Sequence, residues 1–204
     1  QVGRTVASGP TTRERGIADS RDALLAQWSA IPNDVRTEAL AGGWYRESRN
    51  LARSLARRHH VKVAQAAGVL AALSPRITWA KNVQGAEAVL ADPIDGWAAG
   101  YPANVAKARR IALGEPADSV LSGVKVTAFF RAIMGDEGAA VVDVWMLRAA
   151  GRYVKTRAGA EHHDVTPALV RLVAEAMRQA AHEAGVPVAT FQALVWIHIR
   201  GSAS

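Results

Sequence analysis

The chain has 204 residues, half of them hydrophobic, and its 25 Lys and Arg against 18 Asp and Glu give a formal net charge of +7. That length and apolar fraction fit one domain of ordinary size with a sizeable core, and the basic excess points to an anionic partner, nucleic acid first. No cysteine is present, which excludes disulfides, thiolate zinc sites and iron–sulfur clusters.

Residues 1–20 are rich in Gly, Thr, Ser and Arg without periodicity, the composition of a flexible or loosely docked arm. From there to residue 204 the pattern is that of a single helical domain. The stretch SRDALLAQWSA reads as a first helix that stops before IPND. WYRESRNLARSLARRHH places Leu51 and Leu55 on one face and its arginines on others. KVAQAAGVLAAL is apolar nearly all round, as a buried central helix is. Thr78 suits the N-cap of TWAKNVQGAEAVLAD. Pro102 and Gly114 bracket PANVAKARRIALG, and Gly135 closes KVTAFFRAIMG. Thr166 and Pro167 open a long helix that Gly185 ends, and VATFQALVWIHIRG closes the chain. Runs of alternating β-branched residues are lacking, so the fold class is all-α, with about eight to ten helices. The longest apolar run, around Ala64–Leu73, contains Gln65 and Gly68 and falls short of the roughly 18–20 residues that cross a bilayer. A cytoplasmic location and no membrane partner are the expectation, and no signal-peptide pattern is read.

Two stretches invite chemistry. In DSVLSGVKVTAF a short helix ends at Leu121, and Ser122, Gly123 and Val124 turn into a second helix near Lys125. Backbone N–H groups at such a turn can hold a phosphate without reading sequence, and Lys125 adds charge there; a plain interhelical turn has the same sequence signature. In VVDVWMLRAAGR a lone carboxylate, Asp143, stands between an apolar lead-in and a helix start. An N-cap aspartate and a catalytic one look alike at this point, since Asp is a favoured cap. The histidine pairs His59-His60 and His162-His163 lack the i, i+4 spacing of helical metal ligands, so no metal is expected.

These stretches resemble the helix-hairpin-helix (HhH-GPD) DNA glycosylase superfamily. LSGVKVTAF is similar to its hairpin of type L-P-G-V-G-x-K-T-A, and VVDVWMLRAAGR to the V-D-x-H segment about twenty residues later. Upstream, GVLAALSPRITWAKNVQGAEAVL looks like the superfamily's buried helix, its L-S-x-Q-T turn and the next helix. GYPANVAKARRIALGE looks like its G-x-x-x-x-K-A-x-x-I helix. The four blocks stand in the superfamily's order between Val69 and Tyr153, and the chain also looks like short bacteriophage-encoded relatives.

The resemblance implies a two-lobed helical fold with a cleft between lobes. A hairpin lobe would span about 80–153, and the C-terminal FQALVWIHIRGS would fold back onto the other lobe. It implies a DNA partner and a base-excision activity in which Asp143 is the catalytic aspartate. A carboxylate there stabilises positive charge developing on deoxyribose and can activate water, and the helix dipole favours an anion at that point. DNA contacts are implied for Ser122, Gly123, Val124, Lys125, Thr127 and Lys107. Arg76, at the L-S-x-Q-T turn, would fill the gap left by a flipped base. Trp79, Trp145 and Asn82 would form the base pocket. The chain also departs from the superfamily. The hairpin is shorter and lacks its second glycine, which puts a monovalent cation at the hairpin in doubt. No other cofactor is expected. Trp145 replaces the usual His. GEPADSVLSG carries no lysine, which implies a monofunctional glycosylase using water. On the same fold, a phage enzyme that attaches or exchanges a group on a pyrimidine in DNA is the alternative. A non-catalytic DNA-binding protein is a third reading.

Overall fold

Eleven α-helices carry most of the residues that the computed structural model describes, which are 11–152, 154–155, 161–162 and 166–201. In chain order they are α1 (Thr12–Ala30), α2 (Asn33–Gly42), α3 (Trp44–Arg58), α4 (Val63–Leu73), α5 (Trp79–Ala91), α6 (Pro102–Ala112), α7 (Ala117–Val120), α8 (Val124–Met134), α9 (Val144–Ala149), α10 (Pro167–Glu183) and α11 (Val188–Arg200). Between α9 and α10, β1 (Val154–Lys155) pairs antiparallel with β2 (Glu161–His162) over two residues each. The protein is all-α in class, and none of its described helices is long and apolar enough to cross a membrane.

Two buried clusters organise the helices. The first draws on α3 to α8 and is centred on α4, whose residues Ala66 to Leu73 are all buried. An all-round apolar helix must be covered on every side, and α3, α5, α6 and α8 do so. Fully burying Val69, Leu70 and Leu73 contributes roughly 1.5–3 kcal/mol each. Gly68 permits the closest approach: a Cβ there would lie 2.7 Å from the Ala117 Cβ and 3.0 Å from Ile111 Cγ2. The second cluster joins α1, α9, α10 and α11 around Leu24, Met146, Met177 and Phe191. Trp28 of α1 stacks on Phe191 of α11, with ring centroids 5.0 Å apart.

The expected arm over residues 1–20 is corrected in its second half, while residues 1–10 lie outside the described residues. Residues 12–20 are the opening turns of α1. Thr11 and Glu14 form a reciprocal capping box that satisfies the helix N-terminus. Ser20, Leu24 and Trp28 recur at four-residue spacing and are buried. Arg152 Nε donates to Ser20 Oγ at 2.7 Å, and the same guanidinium donates to the Gly16 carbonyl. The helix α2 is a second difference: its apolar positions are too sparse for a periodic signal, yet Arg36 N bonds Pro32 O to start it.

Candidate active site

Val141 and Val142 are buried at 5% and 2% exposure, so the apolar lead-in is core. Asp143 is the turning point, extended in backbone and serving as N-cap of α9. Its Oδ1 accepts from Trp145 N at 2.9 Å and Met146 N at 3.0 Å, satisfying two of the helix's orphan donors. Its Oδ2 accepts from the Trp196 indole Nε1 at 2.9 Å, reaching across from α11. A carboxylate oxygen has two acceptor positions. Oδ2 makes one bond to the protein among the described residues, which leaves a position for a water or substrate proton.

The carboxylate lies in a cleft of about 450 Å³ where the two cores meet. That volume is within the range of pockets for small ligands. One wall is aromatic. Trp44 sits at the centre of a ring cluster, stacked on Phe129 at 5.6 Å and tilted against Trp79 at 5.1 Å. Among the described residues the cleft is also lined by three cations, Arg76, Lys125 and Arg200, and by a single acid, Asp143. Arg76 and Arg200 are exposed. The Arg200 guanidinium lies 4.7 Å over the Trp196 ring, and that of Arg148 lies 4.4 Å over Trp145. An aromatic wall, a central carboxylate and a basic rim suit a planar ring carrying an anionic group.

Beneath Asp143 lies a buried polar pair. Tyr45 O–H donates to Gln192 Oε1 at 2.6 Å, linking α3 to α11. Burial pushes the Tyr45 hydroxyl well above the ordinary phenol range, and the nearby Asp143 charge adds to it, while the bond to Gln192 acts the other way. Tyr45 therefore stays a neutral donor. A second, larger hollow of about 680 Å³ lies between α1 and α10, lined by Arg21, Arg178, Gln179, His182 and Glu183. Its walls are surface side chains, several of them paired with one another or with neighbours, such as Arg21 with Asp22 and Glu183. Among the described residues no Trp, Tyr or Phe lines it, unlike the first cleft.

Asp143, Arg76, Trp79, Asn82, Trp145 and Lys125 all line the one cleft. The hairpin turn lies outside it: Ser122, Gly123, Val124, Thr127 and Lys107 are not among the lining residues. Gly123 adopts a positive φ of 89° and caps α8, and among the described residues no atom beyond its own chain neighbours stands within 4 Å of a Cβ built on it. Lys107 Nζ donates to Ser122 Oγ at 2.6 Å, so these two neighbour each other on the surface. Arg76 also has a positive φ of 60°. Its guanidinium donates to the Tyr101 hydroxyl at 3.0 Å. Groups of His, Cys, Asp and Glu able to hold a metal are absent among the described residues; His163 lies outside them.

Residues 14–203 match a family of unknown function, DUF7178. The chain belongs to that family. No curated protein and no solved structure matches it. For this member of DUF7178 the site therefore rests on geometry. Sequence reasoning missed Trp44, Tyr45, Gln192, Trp196 and Arg200. One signal was present in the composition: the chain has six tryptophans against three phenylalanines, and four of the six line this cleft.

Proposed function

We propose that this protein is a DNA-binding enzyme that hydrolyses the bond between a damaged or modified base and its deoxyribose, with the base turned out of the duplex into the aromatic cleft. The observation that carries the reading is the placing of Asp143: one carboxylate, fixed by three N–H donors, in a cleft with aromatic and cationic lining. The four sequence blocks that resemble the HhH-GPD superfamily agree with it, and so do the two cores that meet at the cleft.

In this reaction the base–sugar bond breaks and its electrons leave with the base, which takes a proton from solvent. Positive charge develops on the sugar, and Asp143 stabilises it. Water adds to the anomeric carbon as Oδ2 of Asp143 accepts its proton. Trp44 and Trp79, backed by the buried Phe129, supply the stacking lost by the extruded base. Arg76, Lys125 and Arg200 answer the adjacent phosphates, and the pair Lys107–Ser122 extends that basic surface toward the hairpin.

The deciding experiment incubates the protein with duplexes carrying damaged and naturally modified bases and measures abasic sites and free base. Base release that disappears in Asp143→Asn supports the reading. Unchanged release in that variant removes Asp143 from the chemistry. A new nucleoside by mass spectrometry without free base would assign group transfer on a pyrimidine instead. Salt-sensitive binding with unaltered DNA would leave a binding protein, an outcome for which Trp145 in place of His leaves room.

A further inference from the structure

Helix α3 carries charge away from the cleft. Its first residues, Trp44 and Tyr45, line that cleft, and its buried side, with Ala52, Leu55 and Ala56, belongs to the first core. On the opposite side Arg46, Asn50, Arg53 and Arg57 are all exposed. Spacings of four, three and four residues set them in one line along the helix. The line is about 16 Å long at about 1.5 Å per residue. Two other arginines of α3 serve its packing: Arg58 pairs with Glu87 of α5, and Arg49 donates to the Ile133 carbonyl of α8. Arg53 and Arg57 do not, and neither has an ion-pair partner among the described residues. Arg49, Arg53 and Arg57 follow one another at i, i+4, an arrangement of like charges that weakens a helix. The helix dipole accounts for Arg57 in the last turn but not for Arg53. The one acid of α3, Glu47, stands about 100° round the helix from Arg46. Local stability is given up in this way where a surface has a partner.

We propose that Arg53 and Arg57 hold the phosphate backbone of DNA beside the flipped nucleotide, so that the duplex runs from the cleft along the exposed face of α3. This inference rests on the DNA reading of the cleft and extends its footprint. The stripe matches about five successive phosphates of one strand, which lie roughly 3.4 Å apart along the duplex axis. Guanidinium groups bind phosphate oxygens without reading sequence, so this face adds affinity and register but no base preference. A lipid surface fits less well. A helix that lies on a bilayer also presents large apolar side chains, and none of the exposed large hydrophobic residues belongs to α3.

The test follows binding of a short duplex carrying an abasic analogue, by anisotropy, over a series of salt concentrations. Wild type is compared with Arg53→Gln/Arg57→Gln and with a control, Arg13→Gln/Arg171→Gln. The control loses the same charge from exposed positions on α1 and α10, helices of the second core. The slope of log affinity against log salt is expected to shrink by about 1.8 in the α3 variant, two phosphates at about 0.9 each, and to stay near wild type in the control. Equal changes in both variants assign the effect to overall charge and overturn the contact. A wild-type slope in the α3 variant overturns it too and leaves the DNA reading standing. A second arm uses vesicles containing phosphatidylserine: binding lost in the α3 variant while its DNA slope is unchanged overturns the proposal in favour of a membrane. Wild-type protein that binds no duplex removes both readings. Melting temperatures check that the variants fold, and the single substitutions, each expected to shrink the slope by about 0.9, decide if the pair does not.

Discussion

The indole of Trp196 holds Asp143 Oδ2 at 2.9 Å from 53 residues away in sequence. α9 alone fixes only Oδ1, through the two backbone donors of its first turn. The second oxygen, the one with an acceptor position to spare, is aimed by α11. Trp196→Phe keeps a ring in place and removes the donor. Base release should fall about 10- to 100-fold, the usual effect of a misaimed catalytic group. The loss should appear in kcat more than in KM, and melting temperature should barely change.

Capping and catalysis can be separated at Asp143 itself. Asn is as good an N-cap as Asp, but its amide nitrogen cannot accept from the Trp196 indole, so Asp143→Asn keeps the cap and should cost about 1 kcal/mol through that lost bond. Asp143→Ala loses the cap as well as the Trp196 bond and should cost about 2 kcal/mol. Both should lack base release. Thermal denaturation beside an abasic-site assay gives the two readouts, and activity in the Asn variant would show that the carboxylate serves α9 only.

Six of the cleft residues were legible because their signals are local. Asp143 announces a helix start, Thr78 caps the helix that carries Trp79 and Asn82, and Arg76 and Lys125 stand at turns marked by Ser, Pro or Gly. Trp44, Tyr45, Gln192 and Trp196 were not. Their roles arise only when distant helices pack: α3 against α5 and α8 for Trp44, α11 against α9 for Trp196, and α3 against α11 in the Tyr45–Gln192 bond spanning 147 residues, and no short pattern encodes such pairings. The start of α1 was different. Its T-x-x-E capping box, Thr11 to Glu14, stands in the sequence, but the Gly- and Arg-rich composition outweighed it. The class of fold followed from helical periodicity, whereas the two cores depended on which apolar faces meet.

Arg76 holds a left-handed backbone, φ 60°, at the rim of the cleft. For a residue with a Cβ that conformation costs on the order of 1 kcal/mol. Arg76→Gly relieves the strain but loses about the same amount through the freer unfolded chain. Stability should therefore stay near wild type while DNA affinity drops. If the guanidinium contacts one phosphate, the slope of log affinity against log salt should shrink by about 0.9. An unchanged slope would place Arg76 off the DNA.

Gly68 tests the first core. Alanine would raise helix propensity by about 1 kcal/mol. Its Cβ, however, would stand 2.7 Å from the Cβ of Ala117, an atom fixed to backbone that cannot swing aside. Overpacking of this kind costs about 1–3 kcal/mol. The clash should win, and Gly68→Ala should lower the melting temperature by several degrees while leaving Asp143 and its cleft intact.

Tyr45 predicts how stability responds to alkali. Its hydroxyl is buried against Gln192, and burial with the Asp143 charge raises its folded pKa above the ordinary value of about 10. Above that pH the unfolded chain releases the tyrosine proton and the folded chain keeps it. The unfolded state then binds fewer protons, so stability falls as pH rises. The contribution is whole below about pH 10 and declines by about 1.4 kcal/mol per pH unit beyond it. Tyr45→Phe has no proton to lose there. It should start less stable by about 1–3 kcal/mol, because Gln192 loses its donor in a buried site, and its stability should then vary less steeply above pH 10. Denaturant melts at pH 8, 10 and 11 compare the slopes, and equal slopes in the two proteins would mean that Tyr45 titrates normally.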